Sequence, residues 1–340
     1  MAKVLVTGAT GFIAGHVIVQ LLEAGHTVRG TARSADRAPR LNQVLSAYMG
    51  KPVDIEIVAA DLSSDEGWAE AVAGMDYVQH IASPIPQTLP KDANELIIPA
   101  REGALRVLKA SKAAGVKRVV MTSSMAAIAY GWGDKRPELL TEEHWSNPDN
   151  IADNTAYTRS KTIAERAAWD YVSGEGQGLE LATINPAAVL GPVMSGDFSS
   201  SVQILTQPLS GKIPATPRMG FGIVDVRDVA AAHVAAMTVP EAAGERFLVC
   251  DRFMWFSEIA DVLRDKFPAY GKKLPKGNMP GWLLKIMAAF NPTLKQIIPE
   301  LNRERHVSSE KAKRILGWQP RTAEEAIVSG AQSLIDHSAV

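Results

Sequence analysis

Tyr157-Thr158-Arg159-Ser160-Lys161 places a phenol and an amine four residues apart. On a helix that spacing puts both on one face, so hydroxyl and ammonium can point into one cavity. The ammonium favours the phenolate form. Tyr157 then becomes a workable general acid for reducing a carbonyl, or a base for oxidising an alcohol. The same face continues through Ala164, Ala168 and Tyr171, which can lie against a sheet. Upstream, the strand-like run 118–122 leads into Ser123-Ser124. A hydroxyl at the end of such a strand can hydrogen-bond a carbonyl and stabilise charge developing on its oxygen. Ser124 is the preferred candidate; Ser123 and Thr122 are the alternatives, and all three can equally cap the strand end. No Gly-x-Ser-x-Gly surrounds these serines, which argues against a serine-hydrolase elbow.

Chemistry of this kind needs a hydride carrier, and the N-terminus offers a place for one. Thr7-Gly8-Ala9-Thr10-Gly11-Phe12-Ile13-Ala14 follows a short apolar strand and opens a helix. Gly8 permits a tight turn, and Gly11 lets a pyrophosphate approach backbone N–H groups at the helix start. Ala14 stands where a third small residue lets helix and strand pack. The second strand ends Thr31-Ala32-Arg33-Ser34, with Ala32 where a site for NAD usually carries an acid. A guanidinium fork matches a phosphate, so Arg33 favours the 2′-phosphate of NADP; Arg37 and Arg40 stand close enough to assist. Asp61-Leu62 ends the third strand, where the carboxylate can accept the adenine amino group or cap the next turn. His80-Ile81-Ala82-Ser83-Pro84 ends the fourth, and its small residues let the backbone pass close to a cofactor. His80 itself reads as a buried, hydrogen-bonded histidine.

These motifs are spaced by regular alternation. Apolar runs at 3–7, 27–32, 55–59, 77–82, 118–122, 181–185 and 246–250 read as strands covered on both faces. Helical patterns at 12–24, 94–114, 157–173 and 226–238 lie between them. Repeated βα order predicts a doubly wound parallel α/β sheet of the Rossmann type, with a smaller, mainly C-terminal substrate lobe. The segment from Pro186 to Phe221 reads as loops with one short helix. Residues 1–185 and 223–255 are assigned to the nucleotide-binding domain, and 186–222 and 256–340 to the lobe. Met125, Ile128 and Tyr130 are the candidates for lining a substrate cavity. Trp255, Phe256, Trp282 and Phe290 supply aromatic material for a pocket or for the lobe's own core.

Composition narrows the field. The 340 residues carry a formal net charge of −1, with 46% hydrophobic and 21% charged residues. That balance gives no electrostatic reason to expect nucleic acid or an anionic membrane as a partner. Cys250 is the single cysteine, so no internal disulfide can form, and neither a thiolate metal cage nor any other metal site is expected. The N-terminus lacks the pattern of a signal peptide and no apolar run reaches membrane-spanning length. A cytoplasmic protein, monomeric or homodimeric, is expected.

The glycine loop, Ser124, Tyr157 with Lys161, and Asn185-Pro186 followed by Gly191-Pro192 together resemble the extended short-chain dehydrogenase/reductase family. Val28–Arg33, His80–Pro84 and Tyr157–Tyr171 are most similar to dihydroflavonol 4-reductases, cinnamoyl-CoA reductases and microbial aldehyde and ketone reductases. Ile315-Leu316-Gly317-Trp318 is similar to a late segment of the same group. The resemblance implies a Ser-Tyr-Lys mechanism with NADPH and a small carbonyl substrate. It further implies that Thr7, Gly8, Thr10, Gly11, Phe12, Ile13, Arg33, Asp61, Leu62, Ala82, Ser83, Tyr157, Lys161 and Pro186 face the cofactor. Two rival readings share the fold: an NAD-dependent nucleotide-sugar epimerase or dehydratase, and an NADP-sensing binding protein without chemistry. The first usually retains an acid where Ala32 stands, and the second has no need of a proton donor.

Overall fold

The computed structural model describes residues 1–84, 92–195 and 200–340. Its first half alternates: β1 (Lys3–Val6), α1 (Phe12–Glu23), β2 (Thr27–Ala32), α2 (Ala38–Met49), β3 (Glu56–Ala59), α3 (Trp68–Val72), β4 (Tyr77–His80), α4 (Asn94–Ala113), β5 (Arg118–Thr122), α5 (Ala156–Ser173) and β6 (Glu180–Pro186). Beyond β6 come β7 (Ala188–Leu190), α6 (Gln203–Leu209), β8 (Thr216–Pro217), β9 (Gly220–Asp225), α7 (Val226–Thr238), β10 (Arg246–Val249) and β11 (Arg252–Trp255). The chain closes with α8 (Phe256–Lys266), β12 (Asn278–Met279), α9 (Gly281–Phe290), α10 (Pro292–Ile297), α11 (Glu310–Leu316) and α12 (Ala323–Asp336).

Among the described residues, seven strands form one sheet in the order β10-β6-β5-β4-β1-β2-β3, and every neighbouring pair is parallel. All five residues of β5 are buried, as a central strand covered on both faces requires. From β1 the chain builds outward through β2 and β3. It then returns to the other side of β1 and builds through β4, β5 and β6. The reversal falls between β1 and β4, and a ligand crevice opens beyond the carboxyl ends of strands at such a point.

The seven strands and four helices read from sequence stand within two residues of their expected limits. Two features differ from expectation. Residues 186–221 hold more than loops: β7 and β9 pair in a second sheet, ordered β11-β9-β7. Gly220 and Gly222 disguise β9 as a turn. They are needed there because an added Cβ would stand 2.3 Å from the Phe253 ring and 2.9 Å from the Cys250 sulfur. The other difference is α2, which buries Leu41 and Leu45 one turn apart and ends on left-handed Gly50. No helix among the described residues is long and apolar enough to cross a membrane.

Two buried histidines tie the central strands together. The Thr7 hydroxyl accepts from the N–H groups of Ile81 and Ala82, both at 3.0 Å, which leaves its proton for Nδ1 of His80 at 3.0 Å. His233, on α7, donates from Nδ1 to the Gln79 side chain and accepts the Thr122 hydroxyl at Nε2, each at 2.8 Å. Both rings are therefore held neutral, and burial pushes both pKa values down to about 3. Between pH 6.5 and 3 the unfolded chain binds protons that the folded chain refuses, so stability falls as pH falls through that window. The expected loss at pH 5 is about 2 kcal/mol for each histidine. Thermal unfolding followed by circular dichroism at pH 7 and pH 5 checks this. A midpoint that does not drop would contradict neutral burial.

Candidate functional site

The loop after β1 is shaped by what a side chain would strike. Gly8 has φ +64°, and a Cβ on it would stand 3.1 Å from Ala82 across the crevice. Its N–H donates to the Thr31 hydroxyl at 3.2 Å, and Ala9 N–H donates to the Thr31 carbonyl at 2.8 Å, which fastens the loop to β2. Gly11 caps α1 without a side-chain acceptor, and no acidic residue stands in the first turn. First-turn N–H groups with no carboxylate near them suit a phosphate.

A cleft of about 670 Å³ runs from this loop across the sheet, within the range of small-molecule sites. At one end stand Arg33 and Arg37, both exposed, with Asp61, Leu62 and Trp68. Asp61 Oδ1 accepts from the backbone and hydroxyl of Ser63 at 2.8 and 2.6 Å. Those bonds, more than Arg33 nearby, hold its carboxyl below the usual range. The turn-capping role foreseen for Asp61 is thus present, and its residue also borders the cleft. Arg37 lines the cleft, whereas Arg40 turns to Gln43 at 3.4 Å.

At the other end stand Ser124, Tyr157, Lys161, Ser83, Ala82 and Pro186. α5 begins with a capping box between Thr155 and Thr158, which fixes where its first turn starts. Tyr157 follows directly and is 42% exposed on the cleft wall. Lys161 is 8% exposed, its ammonium 5.8 Å from the Tyr157 ring centre and 3.0 Å from the Ser83 hydroxyl, to which it donates. The three hydroxyls after β5 are told apart by their partners. Thr122 is engaged by His233, and Ser123 donates to Glu165. Ser124 instead accepts from Ala126 N–H at 3.1 Å, which leaves its own proton free to donate among the described residues.

Several expected residues sit elsewhere. Thr7 is fully buried and spends its hydroxyl beneath the cleft, holding Ala82 in place. Met125, Ile128 and Tyr130, expected to line a substrate cavity, are not among the residues that line this cleft. A tight turn over Met125–Ala127 directs Met125 and Ile128 into the hydrophobic core, where Ile128 is wholly buried. Tyr130 packs under the Arg305 guanidinium, 4.1 Å from its ring centre, and burial pushes its phenol upward. Phe256 joins the lobe's core; Trp282 and Phe290 are exposed. The cleft also takes Leu96 and Pro99 from α4, and Ala187 and Val189 after β6, which carry no chemical signal in sequence.

The sequence pattern of the NAD dependent epimerase/dehydratase family matches residues 4–250. Tetraketide alpha-pyrone reductase 2 of Arabidopsis thaliana is 37% identical over 276 residues, covering 79% of this chain and 84% of the relative. Cinnamoyl-CoA reductase CAD2 of Medicago truncatula is 35% identical over 269 residues, covering 78% and 81%. Among solved structures, yeast methylglyoxal/isovaleraldehyde reductase Gre2 complexed with NADPH superimposes with a TM-score of 0.80 at 27% identity, covering 99% of this chain and all of the other. The Arg33 reading yields a test. Arg33→Ala is expected to weaken NADPH by about ten- to a hundred-fold, one lost charge-assisted contact, and to leave NADH nearly unchanged. Fluorescence titration with both nucleotides checks it, and equal weakening would give Arg33 another task.

Proposed function

This chain belongs to the NAD dependent epimerase/dehydratase family, and from that premise we propose that it is an NADPH-dependent reductase of aldehydes or ketones. The observation that carries the proposal is the convergence of a free hydroxyl, a phenol and an ammonium at one end of a single cleft. The similar reductases and the NADPH-bound structural neighbour support it. Residues 1–185 and 223–255 serve the cofactor, and 186–222 with 256–340 serve the substrate.

The cleft fits the dinucleotide on its own evidence: a left-handed glycine turn that crowds any Cβ at residue 8, first-turn N–H groups at α1 without a side-chain cap, and arginines at the far end. Gly8, Gly11 and the start of α1 would hold the pyrophosphate, Arg33 the 2′-phosphate, and Lys161 with Ser83 the nicotinamide end. NADPH, when bound, supplies the hydride.

The protein does the rest. Ser124 donates its hydroxyl proton in a hydrogen bond to the carbonyl oxygen and stabilises the negative charge that grows there. Tyr157 delivers its proton to that oxygen. Lys161 lies close enough to stabilise the phenolate left behind, and its burial strengthens that attraction. In alcohol oxidation the same groups run in reverse. Ala32 and Arg33 in place of an acid speak against a redox-neutral NAD cycle on nucleotide sugars.

Tyr157→Phe removes one oxygen and keeps the ring. It is expected to lower kcat by roughly a hundred- to ten-thousand-fold, the range for losing a positioned acid, while NADPH binding persists. NADPH absorbance followed across a panel of aldehydes, ketones and UDP-sugars, with titration of the variant, checks both points. Turnover of sugars alone, or an active variant, would overturn the proposal.

A further inference from the structure

Glu165 lies one turn beyond Lys161 on α5, and its side chain is fully buried. A buried carboxylate paired with arginine is dearer in desolvation than well-packed apolar residues of similar volume, so stability alone does not explain it. Its contacts show what it holds. Oε1 accepts from Nε of Arg246 at 2.7 Å and from the Trp169 indole at 3.3 Å, with the Thr183 hydroxyl at 3.1 Å. Oε2 accepts from the Ser123 hydroxyl and, at 2.7 Å, from the Asn185 amide. That same amide donates to the Ser124 carbonyl at 3.2 Å. Arg246 is itself anchored to the carbonyls of Glu142 and His144, at 2.7 and 2.9 Å, and lies 3.7 Å from the Trp145 ring centre.

One carboxylate therefore grips the Ser123–Ser124 segment twice, through the Ser123 side chain and, via Asn185, through the Ser124 carbonyl. With the backbone held on both sides, the direction of the Ser124 Cα–Cβ bond is set, and Ala126 N–H then fixes the oxygen. An apolar residue at 165 would leave the Ser123 hydroxyl and one of the two Asn185 amide N–H groups without an acceptor in a buried site, and would loosen the hold on the segment. We propose that Glu165 is a positioning residue for the Ser124 hydroxyl, aiming it at the substrate carbonyl from behind the β5 end. The inference rests on the reductase reading given above. It adds a residue that touches neither substrate nor cofactor.

The test is a double-mutant cycle of Glu165→Gln and Ser124→Ala, measuring kcat, NADPH affinity by fluorescence titration, and the unfolding midpoint. Glu165→Gln keeps the shape and removes the charge. It is expected to lower kcat by roughly ten-fold or more, with NADPH affinity unchanged, and to have no further effect once Ser124 is alanine. The same loss of kcat in both backgrounds, or none in either, would overturn the positioning role and leave the reductase reading standing. Absence of carbonyl turnover by the unaltered protein would overturn both. Where Glu165→Gln does not fold, Ser123→Ala cuts one tether and leaves the ion pair whole. It should lower kcat several-fold, again only while Ser124 is present, and an equal loss beside Ser124→Ala counts against the role.

Discussion

One turn of α5 fixes the phenol of Tyr157 relative to the ammonium of Lys161, and the rest of the site is disposed around that pair. A helix holds such a separation without further help, because residues four apart share a face. What the fold must add is the helix's placement. The capping box at Thr155 and Thr158 sets its start, and Ala164 and Ala168, both buried, let its inner face approach its neighbours closely. Tyr157 then emerges on the cleft wall while Lys161 stays beneath it. That asymmetry suits a proton donor that must meet substrate and a charge that must be sheltered from water.

The second requirement is that loops far apart in sequence meet at the same crevice. The reversal of strand order between β1 and β4 brings the glycine loop against Ala82, where residue 8 combines a left-handed φ of +64° with a 3.1 Å approach that disfavours any side chain. Thr7 locks the two strand ends together from below. The region under the cleft is consequently rich in polar groups: His80, His233, Gln79, Thr122 and Glu165 are all buried, and each has a hydrogen-bond partner. A polar network of this kind rigidifies a site when every member is satisfied. The neutrality of its two histidines makes it sensitive to acid.

Most of the frame was legible because its signals are local. The β1 run, its glycines, the Tyr157–Lys161 spacing and the buried strand runs each declare themselves within a few residues, and the helical pattern at 226–238 coincides with α7, Val226–Thr238. What escaped depended on distant neighbours. β9 carries two glycines whose reason is the packing of Phe253 and Cys250, some thirty residues away in sequence. Ser124 is preferred from sequence alone, but the partners on α5 and α7 that occupy Ser123 and Thr122 are supplied by no spacing rule. Met125 and Ile128 were drawn toward the cavity by adjacency to Ser124, yet the tight turn there sends them inward. Glu165 was visible only as one more residue on a helix face. Its place in the site comes from the strands it meets.

The account stands or falls on whether a hydride reaches a carbonyl carbon at this cleft. The most direct measurement is a single turnover with NADPH deuterated at C4, an aldehyde as acceptor, and mass spectrometry of the product. One deuterium on the alcohol carbon is the predicted result. An unlabelled product, or label returned to the nucleotide while the substrate is only rearranged, would contradict it.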